Sequence, residues 1–156
     1  MADKLVFEVS MAPLLQAVSR ALSQAENPRS LLQNIGARLE LNINQRFIDK
    51  VDPDGHAWLP LAPKTVAMKL KANKSTSNLL IDSVLLVDSV GYNVGDDWVE
   101  VGVAESYGIF HETGTRRMPR RSFLLGDFNA GRLGAGDESD VLDVINEYLA
   151  GSFGPP

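Results

Sequence analysis

The sequence predicts an α+β fold in which helices pack against a mainly antiparallel sheet. Apolar residues recur at helical spacing over residues 31 to 47 and again over 141 to 149. Between them, two valine-rich runs flank Gly95, Asp96 and Asp97, a hairpin signal. A chain of 156 residues, 44% of them hydrophobic, can fill one core and has little room for a second. Residues 1–150 are therefore expected to form one domain, and the Gly/Pro-rich end, 151–156, a disordered tail.

Each element has its own local warrant. Leu5, Phe7 and Val9 alternate with Val6 and Glu8, which predicts an N-terminal strand over 4–9. Ser10 can cap a first helix whose stripe is Leu14, Leu15, Val18, Ala21 and Leu22. Asn27-Pro28 starts a second, because proline tolerates the first helical turn. Leu31, Leu32, Ile35, Leu39, Ile43 and Phe47 carry that helix to about Val51. The run DPDGHAWLPL, 52–61, then ends it with a tight turn. Residues 64–78, lysine-rich and closing on Ser75-Thr76-Ser77, fit a long flexible loop, with a short helix over 64–71 as the alternative. Val84–Val94 and Trp98–Val103 form the two arms of the hairpin, with Val99, Val101 and Val103 on one face. Gly131, Gly134 and Gly136 mark a flexible connection to a C-terminal helix through Val141, Leu142, Ile145, Tyr148 and Leu149. Acids crowd its first turn, where they favour the positive end of the helix dipole.

Composition excludes several classes of function. Cysteine is absent, so there is no disulfide framework, thiolate metal site or cysteine nucleophile. A net charge of -5 argues against a generic nucleic-acid binder. No apolar run approaches the roughly 20 residues that span a bilayer, so no membrane partner is expected. His111-Glu112 opens like a zinc-protease motif, but Thr115 stands where the second histidine is needed. Asp52 and Asp54 lack the glycine spacing and closing glutamate of a calcium loop. Gly126 to Gly131 has phosphate-loop spacing, but Arg132 and Leu133 replace its Lys and Ser/Thr. No cofactor, metal site or catalytic residue is expected, and the chain is not expected to be an enzyme.

Charge is distributed in blocks. Lys64, Lys69, Lys71 and Lys74 form one basic segment, followed by acids from Asp82 to Glu112 without a lysine or arginine. Arg116, Arg117, Arg120 and Arg121 form a second basic segment, and acids of 137–147 close the chain. Such blocks suit a polarised subunit whose unlike patches meet in neighbouring copies. Met118-Pro119 resists helix and central strand, which would keep the four arginines displayed to a neighbour's acids.

Three stretches, read in order, resemble the phage virion morphogenesis family. They are Arg46-Phe47 with DPDGHAWLPL, Thr65 and the lysines; LLIDSVLLVDSV, 79–90; and YGIFHETG, 107–114, leading into MPRRSFLLG, 118–126. Val84 departs from the pattern, where similar proteins tend to have glycine. The resemblance implies a structural virion protein acting in tail completion or head–tail joining, assembled in the bacterial host cytoplasm. Its working form would be a homo-oligomeric ring, and its partners would be tail or head–tail junction proteins. DNA contact through Lys64–Lys74 and Arg116–Arg121, as a small nucleic-acid-binding module, is the alternative. Within these stretches Trp58 is expected to plug the edge of a core with its N–H bonded locally. Tyr107 opens a segment anchored by Ile109 and Phe110, His111 is expected to be hydrogen-bonded and structural, and Gly114 to supply a backbone angle closed to other residues.

Overall fold

A computed structural model describes residues 12–77, 79 and 85–151. The element order is α1 (Ala12–Gln24), α2 (Pro28–Asp49), α3 (Pro63–Lys71), α4 (Leu85–Asp88), β1 (Val90–Val94), β2 (Val99–Val103), α5 (Gly108–Thr113) and α6 (Ala135–Leu149). Helices beside an antiparallel hairpin make the α+β fold that the periodicities predict. The expected strand at 4–9 and the tail beyond Gly151 lie outside the described residues.

α2 is the axis of the molecule. The Asn27 side chain caps it by accepting from the Ser30 N–H at 3.1 Å, with Pro28 in the first turn as the sequence implied. It ends at Lys50 in the left-handed conformation, whose N–H donates to the Arg46 carbonyl at 2.7 Å. Two stripes of α2 face neighbouring elements. Arg38, Asn42 and Arg46, four residues apart, turn to α6. Gly36 turns to the hairpin, while Phe47 turns to Phe123, at 5.3 Å between ring centroids, and to Trp58, edge-on at 5.6 Å.

The hairpin pairs Val90 with Val103 through to Val94 with Val99, and the Gly95 N–H closes its loop on the Trp98 carbonyl at 2.9 Å. Val99, Val101 and Val103 face the core. The first strand is shorter than the predicted 84–94, because Leu85–Asp88 forms one helical turn in which Leu86 is buried. That turn is stopped by Ser89, whose hydroxyl donates to the Leu86 carbonyl at 2.8 Å.

Two segments expected to be flexible are ordered. Residues 63–71 form α3, the alternative to a loop. Pro63 sits where its missing N–H costs nothing, Ala, Met, Leu and Lys are good helix formers, and Lys69 and Lys71 complement the negative end of the helix. The glycine-rich connection is pinned rather than free. Asp127 and Arg132 pair their backbones, and Gly134 is buried against the Pro53 backbone. Asp54 accepts from the Ala135 N–H at 3.1 Å, so the DPDG turn caps α6 from a distance.

Candidate functional site

The stretches quoted from the sequence meet in space. In α5, Gly108 and Glu112 are one turn apart and share the buried face. Phe110 therefore points outward and is 53% exposed, a correction to its expected role as an anchor. Gly114 ends the turn at φ 75° and lies so close to the Arg120 backbone that an added Cβ would sit 2.9 Å from its nitrogen. Its expected requirement for glycine follows from both features.

Beyond Gly114 the chain folds back over α5. The Arg121 N–H donates to the His111 carbonyl at 2.8 Å. The Glu112 carboxylate, wholly buried, then accepts three successive backbone N–H groups. Phe123 and Leu124 donate to one oxygen at 2.9 and 3.0 Å, and Leu125 donates to the other at 2.9 Å. Arg120 adds a charge 3.7 Å away and donates to the carbonyls of Glu112 and Leu125. Burial raises the Glu112 pKa above its ordinary value, and the three N–H bonds and Arg120 offset only part of that. A perturbed carboxylate can mark a catalytic acid, but here both oxygens are occupied by backbone and none of the residue reaches solvent.

A second set of bonds ties this loop to the DPDGHAWLPL segment. Trp58 is buried and donates its indole N–H to the Ser122 carbonyl at 2.9 Å. That satisfies the expected N–H partner, although the partner is 64 residues along the chain. Arg121, 4% exposed, donates to the carbonyls of Leu59 at 2.7 Å and Pro60 at 2.8 Å. Tyr107 meets the His111 ring edge-on at 6.3 Å. The buried His111 Nδ1, expected to be bonded, has no hydrogen-bond partner among the described residues. Burial first, and the nearby Arg121 charge second, lower the His111 pKa.

The arginine cluster is thus divided. Arg121 is interior, so the expectation of four displayed arginines is corrected to three, of which Arg120 is also tied to the carbonyls of Glu112 and Leu125. Arg116 and Arg117 are exposed on a turn closed by the Thr115 N–H donating to the Met118 carbonyl at 2.8 Å. The lysines lie nearby in sequence, with Lys64 four residues beyond the gripped Pro60. Lys64, Lys71 and Lys74 are exposed, and Lys69 is half-buried.

Glu112 and Asp137 are the site residues that sequence reasoning missed. Asp137 is 2% exposed and forms a buried ion pair with Arg46, which also donates to the Phe123 carbonyl at 2.9 Å. Asn42 joins Asp137 to Asp140 with bonds of 2.9 and 2.7 Å. The polar spacing 38, 42, 46 along α2 was the available signal for Asp137. For Glu112 it was an acid four residues after a glycine in an otherwise apolar turn.

A match to the phage virion morphogenesis family covers residues 9–150 and so includes the whole of this cross-tied unit. The chain belongs to that family. It is a phage morphogenesis protein, and the family is a structural one. It is also similar to the Mu-like prophage FluMu G protein 1 of Haemophilus influenzae, 26% identical over 137 residues, which cover 87% of this chain and 89% of the relative. No solved structure matches it significantly. Among the described residues no helix is long and apolar enough to cross a membrane, and no three His, Asp or Glu side chains converge as a metal site.

Proposed function

We propose that this morphogenesis protein acts in tail completion, at the tail end that joins the capsid, as one subunit of a ring. The observation that carries the reading is the use made of charge. Glu112, Arg120, Arg121, Arg46 and Asp137 are spent on holding backbone segments together, which leaves the turn carrying Arg116 and Arg117 braced and outward-facing. A braced, charged turn suits recognition of a neighbour's acids better than turnover of a substrate. The exposed Asp143 and Glu147 of α6, or a tail protein of like charge, supply the complementary surface. The protein is assembled in the host cytoplasm and resides in the virion.

Electron microscopy of particles from a strain lacking the protein tests the role. Separated heads and unfinished tails are expected, and normal virions would overturn it. Arg116→Glu with Arg117→Glu should reproduce the defect with the subunit still folded, whereas either arginine alone changed to alanine should be tolerated, since exposed pairs contribute only about 0–1 kcal/mol. If the same residues contact DNA instead, the purified protein will shift DNA with a steep salt dependence.

A further inference from the structure

α3 presents two different faces. Val66 and Lys69, three residues apart, are half-buried, which turns Lys64, Met68 and Lys71 outward at positions i, i+4 and i+7. Met68 is 62% exposed between the two exposed lysines, and no residue of α3 is fully buried. A helix of nine residues is marginal in water by itself, so covering this face would stabilise it.

The hairpin tip carries the complement. Val103, at the open end of the hairpin, lies against Gly108 near Phe123, and Phe123 packs on Phe47. Tyr92 instead lies on Gly36, about 16 Å back along α2 at 1.5 Å per residue. The strands therefore run away from the Trp58–Arg121 end, out of which α3 leads, and toward the first half of α2. Their tip displays Asp96 and Asp97, both exposed, beside Trp98, which is 49% exposed and folded over Gly95.

We propose that the Lys64–Met68–Lys71 face of one copy docks on the Asp96–Asp97–Trp98 tip of a second copy. Two cations flanking a thioether meet two carboxylates beside an indole, so charge pairs accompany a sulfur–aromatic contact. Because the two patches are unlike, the contact is head-to-tail, the type that closes into a ring when its rotation allows. This rests on the ring reading above and adds a second contact to the one proposed for Arg116 and Arg117.

The chain has no cysteine, so paired cysteines give an unambiguous test. Met68→Cys and Trp98→Cys are made in separate copies, mixed and mildly oxidised. A disulfide-linked dimer is expected, while Ile48→Cys mixed with Trp98→Cys should not link above background. Lys64→Glu with Lys71→Glu in the first copy should abolish the link, and Asp96→Lys with Asp97→Lys in the second should restore it. Circular dichroism of each variant verifies folding. A yield no higher than the control, or one indifferent to charge reversal, overturns the contact. If light scattering still shows a high-mass species in that case, assembly stands and uses another surface. If virion-incorporated Trp98→Cys links to a different protein, the second-copy assignment is overturned. Normal virions made without the chain would overturn the assembly reading itself.

Discussion

Glu112 holds three consecutive N–H groups with one carboxylate, and its replacements should rank by how many of those donors they leave unmet. Glu112→Ala orphans all three in the core and is expected to cost at least about 3 kcal/mol. Glu112→Gln retains one carbonyl oxygen for Phe123 and Leu124 but sets an amide NH₂ against Leu125, so about 1–3 kcal/mol is expected. Urea denaturation of both variants checks the order, and an alanine variant no worse than glutamine would contradict the cradle. His111 makes a prediction about pH. Its folded pKa is lowered by burial and by Arg121, so the native ring resists a proton that the unfolded chain accepts below about 6.5. The neutral ring's full contribution is present above that pH and is lost as pH falls toward the folded value. The raised Glu112 pKa acts in the opposite sense, favouring the fold as pH falls through it. A comparison with His111→Gln isolates the histidine: the difference in stability between the two proteins should change between pH 7 and pH 5, to the wild type's disadvantage.

Between elements, the tightest approach is at Gly36. An added Cβ would lie 2.7 Å from the Tyr92 Cγ, so helix and hairpin touch where no side chain intervenes. Gly36→Ala gains about 1 kcal/mol of helix propensity but overpacks the contact by about 1–3 kcal/mol. It should therefore destabilise the protein, and in a Tyr92→Ala background the same change should become neutral or favourable. A destabilisation unchanged by Tyr92→Ala would mean that the contact is not the cause. The long helices were legible because their signals are local: a cap at Asn27, a proline after it and apolar spacing through Phe47. α3 was harder to read, since its lysines suggested solvent while its propensity favoured helix, and the propensity prevailed. The turn at Leu85–Asp88 hid inside a valine-rich run because short apolar segments suit strand and helix alike.

For the molecule as a whole, the fold class and the blocks of charge could be read from the residues, but the division of labour within each block could not. Arg116, Arg117, Arg120 and Arg121 are one cluster in sequence. Only their partners, the carbonyls of Leu59 and Pro60 for the buried Arg121 and those of Glu112 and Leu125 for Arg120, separate the two arginines engaged by the fold from Arg116 and Arg117. No periodicity reports a bond between residues some sixty positions apart.

The bond from Trp58 to Ser122 spans 64 residues, and so wide a closure is entropically unfavourable until the intervening chain is structured. Phe47, the hairpin and α5 must largely be in place before Arg121 can reach Leu59. The end of the subunit bearing Arg116, Arg117 and α3 is then expected to be finished only after the hairpin and α5 as the chain folds. A half-folded copy would have the acidic tip but no completed basic end to receive it. Folding order would thereby act as a quality check, keeping immature copies from extending or blocking a growing assembly.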